Sequence, residues 1–359
     1  MIVLAGGGTG GHVYPALAIG DVLRARGHKV LYYGDADRLE GRVAPERGYE
    51  FRAVHALQYP RAGLLGKIRF ALGLARSTWA TRSMLAADSV DAVLGVGGYI
   101  SAPPVLAAWL RGAGRAIHEA NVVPGLANKL CARVAQAVLL TFEATRTRMP
   151  GHAPTTVVGV PVNTKILDGN RADAKERYGL EPSRPIVVFV GGSLGAQRLN
   201  ELAIACARDP QRTYQILHVT GPKYEAEVTK ALDPIPSGVS VRGYEDRMGT
   251  AYAVADLVVC RAGSSTLAEL CATGRASLLI PSPNVTENHQ EENARGLEKA
   301  GAAAVLVEKG WVIDACVGVV RELASDSAKL QIMAAAAKRE ARLDAAERAA
   351  DIVESLLKS

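Results

Sequence analysis

Aromatic side chains are scarce in this chain. Phe, Trp and Tyr together make 5% of its 359 residues. No run of Lys and Arg is interleaved with them, so a base-stacking nucleic-acid surface is not expected. Cysteine is scarcer still: Cys131, Cys206, Cys260, Cys271 and Cys316 are odd in number, scattered and never in C-x-x-C spacing. That excludes a disulfide framework and a zinc site, and leaves buried reduced thiols as the expected state. H-E-x-x-H is absent, as is any carboxylate cluster with metal spacing, so neither metal nor cofactor is expected. G-x-x-x-x-G-K-[ST] and G-x-S-x-G are absent too, which disfavours P-loop phosphoryl transfer and a serine nucleophile. No apolar run reaches the ~18–20 residues that a membrane span needs. "MIVLAG" is too short for the apolar core of a secretion signal and runs straight into a glycine loop. A cytosolic protein is expected, with a membrane surface still open to it. Neither charge sign is in large excess: 42 Lys and Arg against 36 Asp and Glu give +6. That balance suits anionic ligands or anionic lipid.

What the chain has is aliphatic core and glycine. Apolar residues make 48% of it, with 36 glycines. At roughly 150 residues per domain the length predicts two domains. Short apolar runs alternate with helical patterns: strands are expected at 2–5, 29–33, 91–96, 115–119 and 137–141. A second series is expected at 185–190, 214–220, 239–243, 256–260, 276–281 and 303–307. Continuous apolar strands separated by helices predict parallel sheets buried on both faces. The fold class is therefore α/β, two Rossmann-like doubly wound domains facing a cleft, with ligands at the carboxyl ends of the strands. A polar, proline-bearing stretch near 160–185 separates the series. The expected domains are 1–160 and 161–335, with a helix over 336–359 packing back toward the first. No solenoid-length repeat is present.

Four strand–loop–helix elements carry the chemistry. "AGGGTGGH" sets Gly6-x-Gly8-x-x-Gly11 between a strand and a helix expected near Val13. The spacing fits a dinucleotide fingerprint, with Asp35 and Asp37 where a ribose-binding acid would stand. Glycine admits positive φ and close approach, and the helix N-terminus favours an anion. His12 then enters at the helix start, where the positive helix end disfavours the imidazolium and keeps the ring neutral. A neutral imidazole beside a bound anion is a candidate general base; a capping or substrate-orienting histidine is the other reading. "GVGGYISAPP" (95–104) and "VGGSLGAQRLNE" (190–201) repeat the strand–glycine–helix device. Loops in both halves exceed what one dinucleotide needs and point to two phosphate-bearing ligands. "CRAGSSTLAEL" (260–270) is the fourth element. There Thr266-x-x-Glu269 fits a capping box, and Glu269 is equally a candidate partner of a ribose diol. His289 and Gln290 in "ENHQEEN" are candidate sugar contacts or simply solvated.

The ordered set "GGTGGH", "GVGGYIS", "HEANVVPGLANK", "VVGVPV", "VGGSLGAQRLN", "CRAGSSTLAE" and "NHQEENARGLEKAGAA" closely resembles the MurG family of peptidoglycan glucosaminyltransferases. The match runs from the first residues to about 305. The resemblance implies an inverting, metal-independent GT-B enzyme that moves GlcNAc from UDP-GlcNAc to lipid I. Its first domain would bind the lipid acceptor and its second the nucleotide sugar. It implies His12 as base for the acceptor 4-hydroxyl or as a residue orienting the diphosphate, with Glu119 as another candidate base. It places Gly8, Gly97, Gly98, Tyr99 and Ser101 on the acceptor. Thr9, Gly10, Gly11, Asn121, Asn163, Ser193, Glu245, Ser264, Ser265, Thr266, Leu267, Ala268, Glu269, His289 and Gln290 fall on the donor side. Three positions depart from the family's pattern. Asn163 stands for a common arginine and lacks its charge and bidentate reach. Glu245 stands for an apolar residue near the uracil, where a backbone contact would survive the change. His289 stands for a glutamine.

The stretch 64–82 sets Leu65, Ile68, Leu72, Ala75 and Trp79 at helical spacing, flanked by Lys67, Arg69, Arg76 and Arg82. An ordinary core-facing stripe accounts for that pattern, and so does a basic amphipathic helix on anionic lipid. The resemblance favours the second, since the family works at the cytoplasmic face of the cell membrane. It also leaves room for other cell-wall synthesis proteins as partners. Three rivals stand beside this reading: an NAD-dependent oxidoreductase, a GT-B transferase with a non-lipid acceptor, and a non-catalytic nucleotide-sugar sensor.

Overall fold

The structure, a computed structural model, describes residues 1–56, 63–192, 194–285 and 288–357. The chain divides into two compact units, Met1–Asn163 with Arg342–Ser359, and Thr164–Ala341.

The first unit runs β1 (Ile2–Ala5), α1 (Gly10–Ala25), β2 (Val30–Gly34), α2 (Leu39–Glu46), β3 (Glu50–Ala53), α3 (Leu64–Ala87) and β4 (Ala92–Gly95). It continues through α4 (Ala102–Arg111), β5 (Gly114–Glu119), α5 (Leu126–Ala132), β6 (Ala137–Leu140) and β7 (Thr155–Val157). The sheet is parallel throughout, in the order β3-β2-β1-β4-β5-β6-β7. The two-residue strand period sorts its core. Ile2 and Leu4 pack with Leu17 and Leu23 of α1 on one face; Val3 and Ala5 pack with Leu85 and Val105 on the other.

The second unit runs α6 (Asp173–Tyr178), β8 (Ile186–Val190), α7 (Gln197–Arg208), β9 (Gln215–Val219), α8 (Glu225–Ala231) and β10 (Val239–Arg242). It continues through α9 (Met248–Val254), β11 (Leu257–Cys260), α10 (Ser264–Thr273), β12 (Ser277–Leu279), α11 (His289–Lys299), β13 (Ala303–Val305), α12 (Ile313–Ser325) and α13 (Ser327–Arg339). Its parallel sheet has the order β10-β9-β8-β11-β12-β13. Val188 and Val258 face one core, Phe189 and Val259 the other. The last helix, α14 (Ala345–Glu354), belongs to the first unit. There Arg26 bonds Asp351 at 2.7 Å and Glu354 at 2.6 Å, and His28 Nε2 lies 2.7 Å from Glu354.

The strands expected from continuous apolar runs are present. β3 and β7 were not expected, and both are sheet edges with half-exposed residues. An edge strand needs no unbroken apolar run, so neither showed one. Helix α1 begins at Gly10 rather than near Val13, with Thr9 as its extended N-cap. Helix α10 begins at Ser264 after Gly263, so Thr266 lies inside its first turn and the capping box with Glu269 is not formed. All five cysteines are buried and unpaired. Burial pushes the thiols of Cys131, Cys206, Cys260 and Cys271 up to about 12, which keeps them protonated and inert.

Candidate functional site

In an open parallel sheet the order reverses once, and the loops flanking that reversal diverge to leave room for a ligand. In the first unit the reversal falls between β1 and β4. The loops that follow those two strands are the first and second glycine loops. They pack against each other through bare backbone. Gly7 N–H donates to the Gly97 carbonyl at 3.3 Å, and a Cβ on Gly98 would collide with the Gly7 carbonyl. Gly8, Gly97 and Gly98 all have positive φ, at 87°, 100° and 76°. His12, third in α1, lays its ring on Gly97, where an added Cβ would stand 2.9 Å from Cδ2 and Nε2. Its Nδ1 lies 3.1 Å from the Gly7 carbonyl and 3.3 Å from the Thr9 hydroxyl. A carbonyl only accepts, so the neutral ring carries its proton on Nδ1 and Nε2 is the basic nitrogen.

The rest of the expected acceptor set is drawn into the same place. Tyr99 donates its hydroxyl to Asp35 at 2.9 Å, and buried Ser101 donates to the Gly98 carbonyl at 2.8 Å. His12 N–H already donates to the Thr9 carbonyl. The N–H groups of Thr9, Gly10 and Gly11 have no hydrogen-bond partner among the described residues. Three donors at the start of a 16-residue helix form an anion seat.

Glu119 ends β5 and is 2% exposed. Its oxygens accept from Asn121 N–H at 2.9 Å, Gly125 N–H at 3.0 Å and Asn128 Nδ2 at 2.9 Å, with Asn121 Nδ2 at 3.4 Å. A carboxylate so committed shapes the 119–128 loop, its lone pairs engaged by the loop's own N–H groups. Asn121 is fixed in that loop and accepts the Thr145 hydroxyl at 3.1 Å. Asn163 is exposed and ends the first stretch of this unit.

The second unit reverses between β8 and β11, and again the following loops are the expected ones. After β8, Gly192 and Gly195 take positive φ, and Gly195 N–H closes a turn onto the Gly192 carbonyl at 3.0 Å. Gly195 packs on Gly221 so closely that neither tolerates a Cβ. Ser193 lies outside the described residues. After β11, Gly263 leads into α10, whose first N–H groups, on Ser264, Ser265 and Thr266, have no hydrogen-bond partner among the described residues. The Ser265 hydroxyl is buried there, also without such a partner. Leu267 is core, Ala268 half-buried. Glu269 accepts the Tyr252 hydroxyl at 2.9 Å. Burial pushes its carboxyl up to about 7, against the pull of that hydroxyl.

Helix α11 brings His289 and Gln290 to the same end of the sheet. Gln290 Oε1 accepts the Ser282 N–H at 2.9 Å, and buried Asn293 donates to the Ala262 carbonyl at 3.4 Å. Arg261 pairs with Glu308 and donates to the Ile280 carbonyl at 3.1 Å. The Glu245 side chain is 4% exposed, paired with Arg177, and accepts from the Tyr178 hydroxyl at 2.8 Å and Arg247 N–H at 2.7 Å. Asn128, Asn293, Arg261 and Glu40 were missed from sequence, because what they grip is chiefly backbone in distant loops. No group of three or more His, Cys, Asp or Glu stands ready for a metal ion among the described residues.

On α3, Leu65, Ile68, Leu72 and Trp79 are 83%, 49%, 68% and 65% exposed, and Ala75 is exposed beside them. That overturns the core-facing account of the stripe. Lys67, Arg69 and Arg76 are exposed too, and the Arg82 guanidinium lies 5.3 Å from the Trp79 ring. No helix among the described residues is long and apolar enough to cross a membrane.

Comparison with known proteins bears on the whole chain. Residues 2–140 match the Glycosyltransferase family 28 N-terminal domain and residues 186–349 the Glycosyltransferase family 28 C-terminal domain. Over 348 residues the chain is 39% identical to the UDP-N-acetylglucosamine--N-acetylmuramyl-(pentapeptide) pyrophosphoryl-undecaprenol N-acetylglucosamine transferase of Halothermothrix orenii, covering 94% of each. The protein of that name from Salinibacter ruber is 41% identical over 357 residues, covering 96% of this chain and 94% of the relative. A crystal structure of Acinetobacter baumannii MurG matches with a TM-score of 0.80 at 26% identity over 99% of both chains. None of these supports the oxidoreductase, and Asp35, its candidate ribose acid, is engaged by Tyr99.

Proposed function

The chain belongs to glycosyltransferase family 28 and is a UDP-sugar glycosyltransferase of GT-B fold, and from that premise we propose its reaction and the division of labour within it. It transfers GlcNAc from UDP-GlcNAc to the MurNAc 4-hydroxyl of undecaprenyl-diphospho-MurNAc-pentapeptide (lipid I), giving lipid II and UDP. The observation that carries the reading is the repetition of one device at both switch points: glycine loop, helix N-terminus, unspent N–H donors. Two phosphate-bearing ligands account for two such seats.

The first unit receives the lipid diphosphate on Gly8, Gly97, Gly98, Tyr99 and Ser101. The second receives UDP-GlcNAc on Ser193 and Ser264 to Ala268, with the ribose on Glu269 and the sugar on His289 and Gln290. Thr9, Gly10 and Gly11, the unspent N–H donors of the first seat, are assigned to the lipid diphosphate; the resemblance had set them, with Asn121 and Asn163, on the donor side. The reaction is a single displacement with inversion and without metal. His12 Nε2 takes the 4-hydroxyl proton as that oxygen bonds the anomeric carbon. The bond from that carbon to the UDP oxygen breaks, and helix N-termini receive the charge leaving on UDP. Glu119 holds the loop that carries Asn121 and leaves the base role to His12. The exposed face of α3 rests on anionic lipid at the cytoplasmic side of the membrane, where lipid I and other cell-wall synthesis proteins are met.

The test is UDP release from UDP-GlcNAc and a short-chain lipid I analogue in EDTA, with the new linkage read by NMR. Release that requires the acceptor, survives EDTA and gives a β-linked disaccharide is expected. Release without acceptor, or its loss in EDTA, contradicts the mechanism.

A further inference from the structure

Glu40 is a carboxylate that the reaction above leaves unused. It lies in the first turn of α2, is 0% exposed, and has no ion-pair partner among the described residues. Its Oε2 accepts the Gly8 N–H at 3.0 Å and its Oε1 the Asp35 N–H at 3.3 Å. Two glycines make room for it. A Cβ on Gly7 would run into the carboxylate, and one on Gly34 would come 2.6 Å from its Cγ. Gly7 does not have positive φ, so its backbone does not demand glycine; the carboxylate does.

The Gly8 N–H and the Gly7 carbonyl belong to one peptide unit. That carbonyl is the acceptor of His12 Nδ1. The peptide is therefore bonded at both ends, by a carboxylate on its N–H and by the imidazole on its oxygen. Negative charge at the N–H end polarises the amide and makes its oxygen a stronger acceptor. We propose that Glu40 is the positioning residue of His12, acting through the Gly7–Gly8 peptide to fix the Nδ1–H tautomer and to stabilise the imidazolium formed when Nε2 takes the acceptor's proton. In a Ser-His-Asp triad a carboxylate does this by direct contact; here one amide stands between. A single proton moves, from the hydroxyl to Nε2, and the Nδ1 proton stays in place. The inference rests on His12 being the base.

Buried Tyr32, which faces Glu40, donates to the Gly6 carbonyl at 3.1 Å, and two further titratable groups, His118 and Glu119, stand on β5. His118 on β5 donates to the Gly159 carbonyl at 2.8 Å. It is held below its ordinary value first by burial and in lesser part by His12. Glu119 is committed to its own loop. Neither touches the Gly7–Gly8 peptide.

The decisive variant is Glu40→Gln, which keeps an oxygen for the Gly8 N–H and removes the charge. Turnover on the plateau should fall about tenfold, as a less basic imidazole is a weaker catalyst. The acidic limb of the kcat–pH profile should move about one unit lower while acceptor KM stays near wild type; the Gln amide nitrogen then faces the Asp35 N–H, so the melting temperature falls as well. A limb that stays in place overturns the proposal. Nitrogen-15 NMR of His12 in the wild-type chain gives a reading independent of that variant's folding. The Nδ1–H tautomer is expected, and an Nε2–H tautomer overturns the inference. Near-normal turnover of His12→Ala removes the base and this inference with it. Loss of turnover there, with an unmoved limb in Glu40→Gln, confines the failure to Glu40.

Discussion

The two units use the same sheet order and the same switch-point loops, yet they furnish those loops differently. In the first, a titratable ring is built into the helix start, gripped by a neighbouring glycine loop and backed by a buried carboxylate. In the second, the helix start of α10 offers N–H groups and a buried hydroxyl, and its titratable group, Glu269, sits more than a turn inside. In the proposed reaction one fold serves two tasks: a helix N-terminus bare of bases receives a leaving phosphate, and one that carries a neutral imidazole also takes a proton.

The largest effect should come from breaking this difference at His12. His12→Ala is expected to lower turnover by ~10²–10⁴, the usual worth of a general base, with UDP affinity unchanged. A parallel loss of UDP affinity in calorimetry would show that the units do not divide the work. The next concerns the lipid contact proposed for α3 of the first unit. Neutralising Lys67 and Arg69 should weaken sedimentation with anionic vesicles by about thirtyfold, at roughly 1 kcal/mol per basic residue. Unchanged binding would free the exposed stripe from that role.

The smallest is a pH effect at Glu269. Its carboxyl is raised in the folded protein to about 7 from 4.5. Its contribution to stability is therefore complete below 4.5 and lost as pH rises through 7. A ribose diol donates to the ionised form, so nucleoside binding should strengthen over the same rise. Uridine has no phosphate to confuse the titration. Its affinity should increase about tenfold from pH 6 to pH 8 in the wild type and stay flat in Glu269→Gln. Equal slopes would remove Glu269 from the ribose.

The doubly wound sheets were legible because buried parallel strands write themselves as unbroken apolar runs. The edges β3 and β7 were not, since one face of an edge strand is half in water and its run is broken. Glycine clusters marked both switch points, and the exposure of α3 agrees with its basic flanks. What escaped were side chains whose partners are backbone atoms elsewhere. Glu40 looked like any helix-start acid, and its only trace in sequence was glycine at positions 7 and 34. The burial of Glu245 escaped for a related reason, since its partners Arg177 and Tyr178 lie far from it along the chain.

Hydrogen–deuterium exchange on the whole chain tests the division most directly, with UDP and a lipid diphosphate analogue added in turn. UDP should slow exchange chiefly in peptides spanning 263–270 and 281–293, and the lipid diphosphate in those spanning 6–12 and 97–101. Slowing of 6–12 by the lipid analogue and of 263–270 by UDP would uphold two seats with separate tasks. The reverse pattern would contradict it.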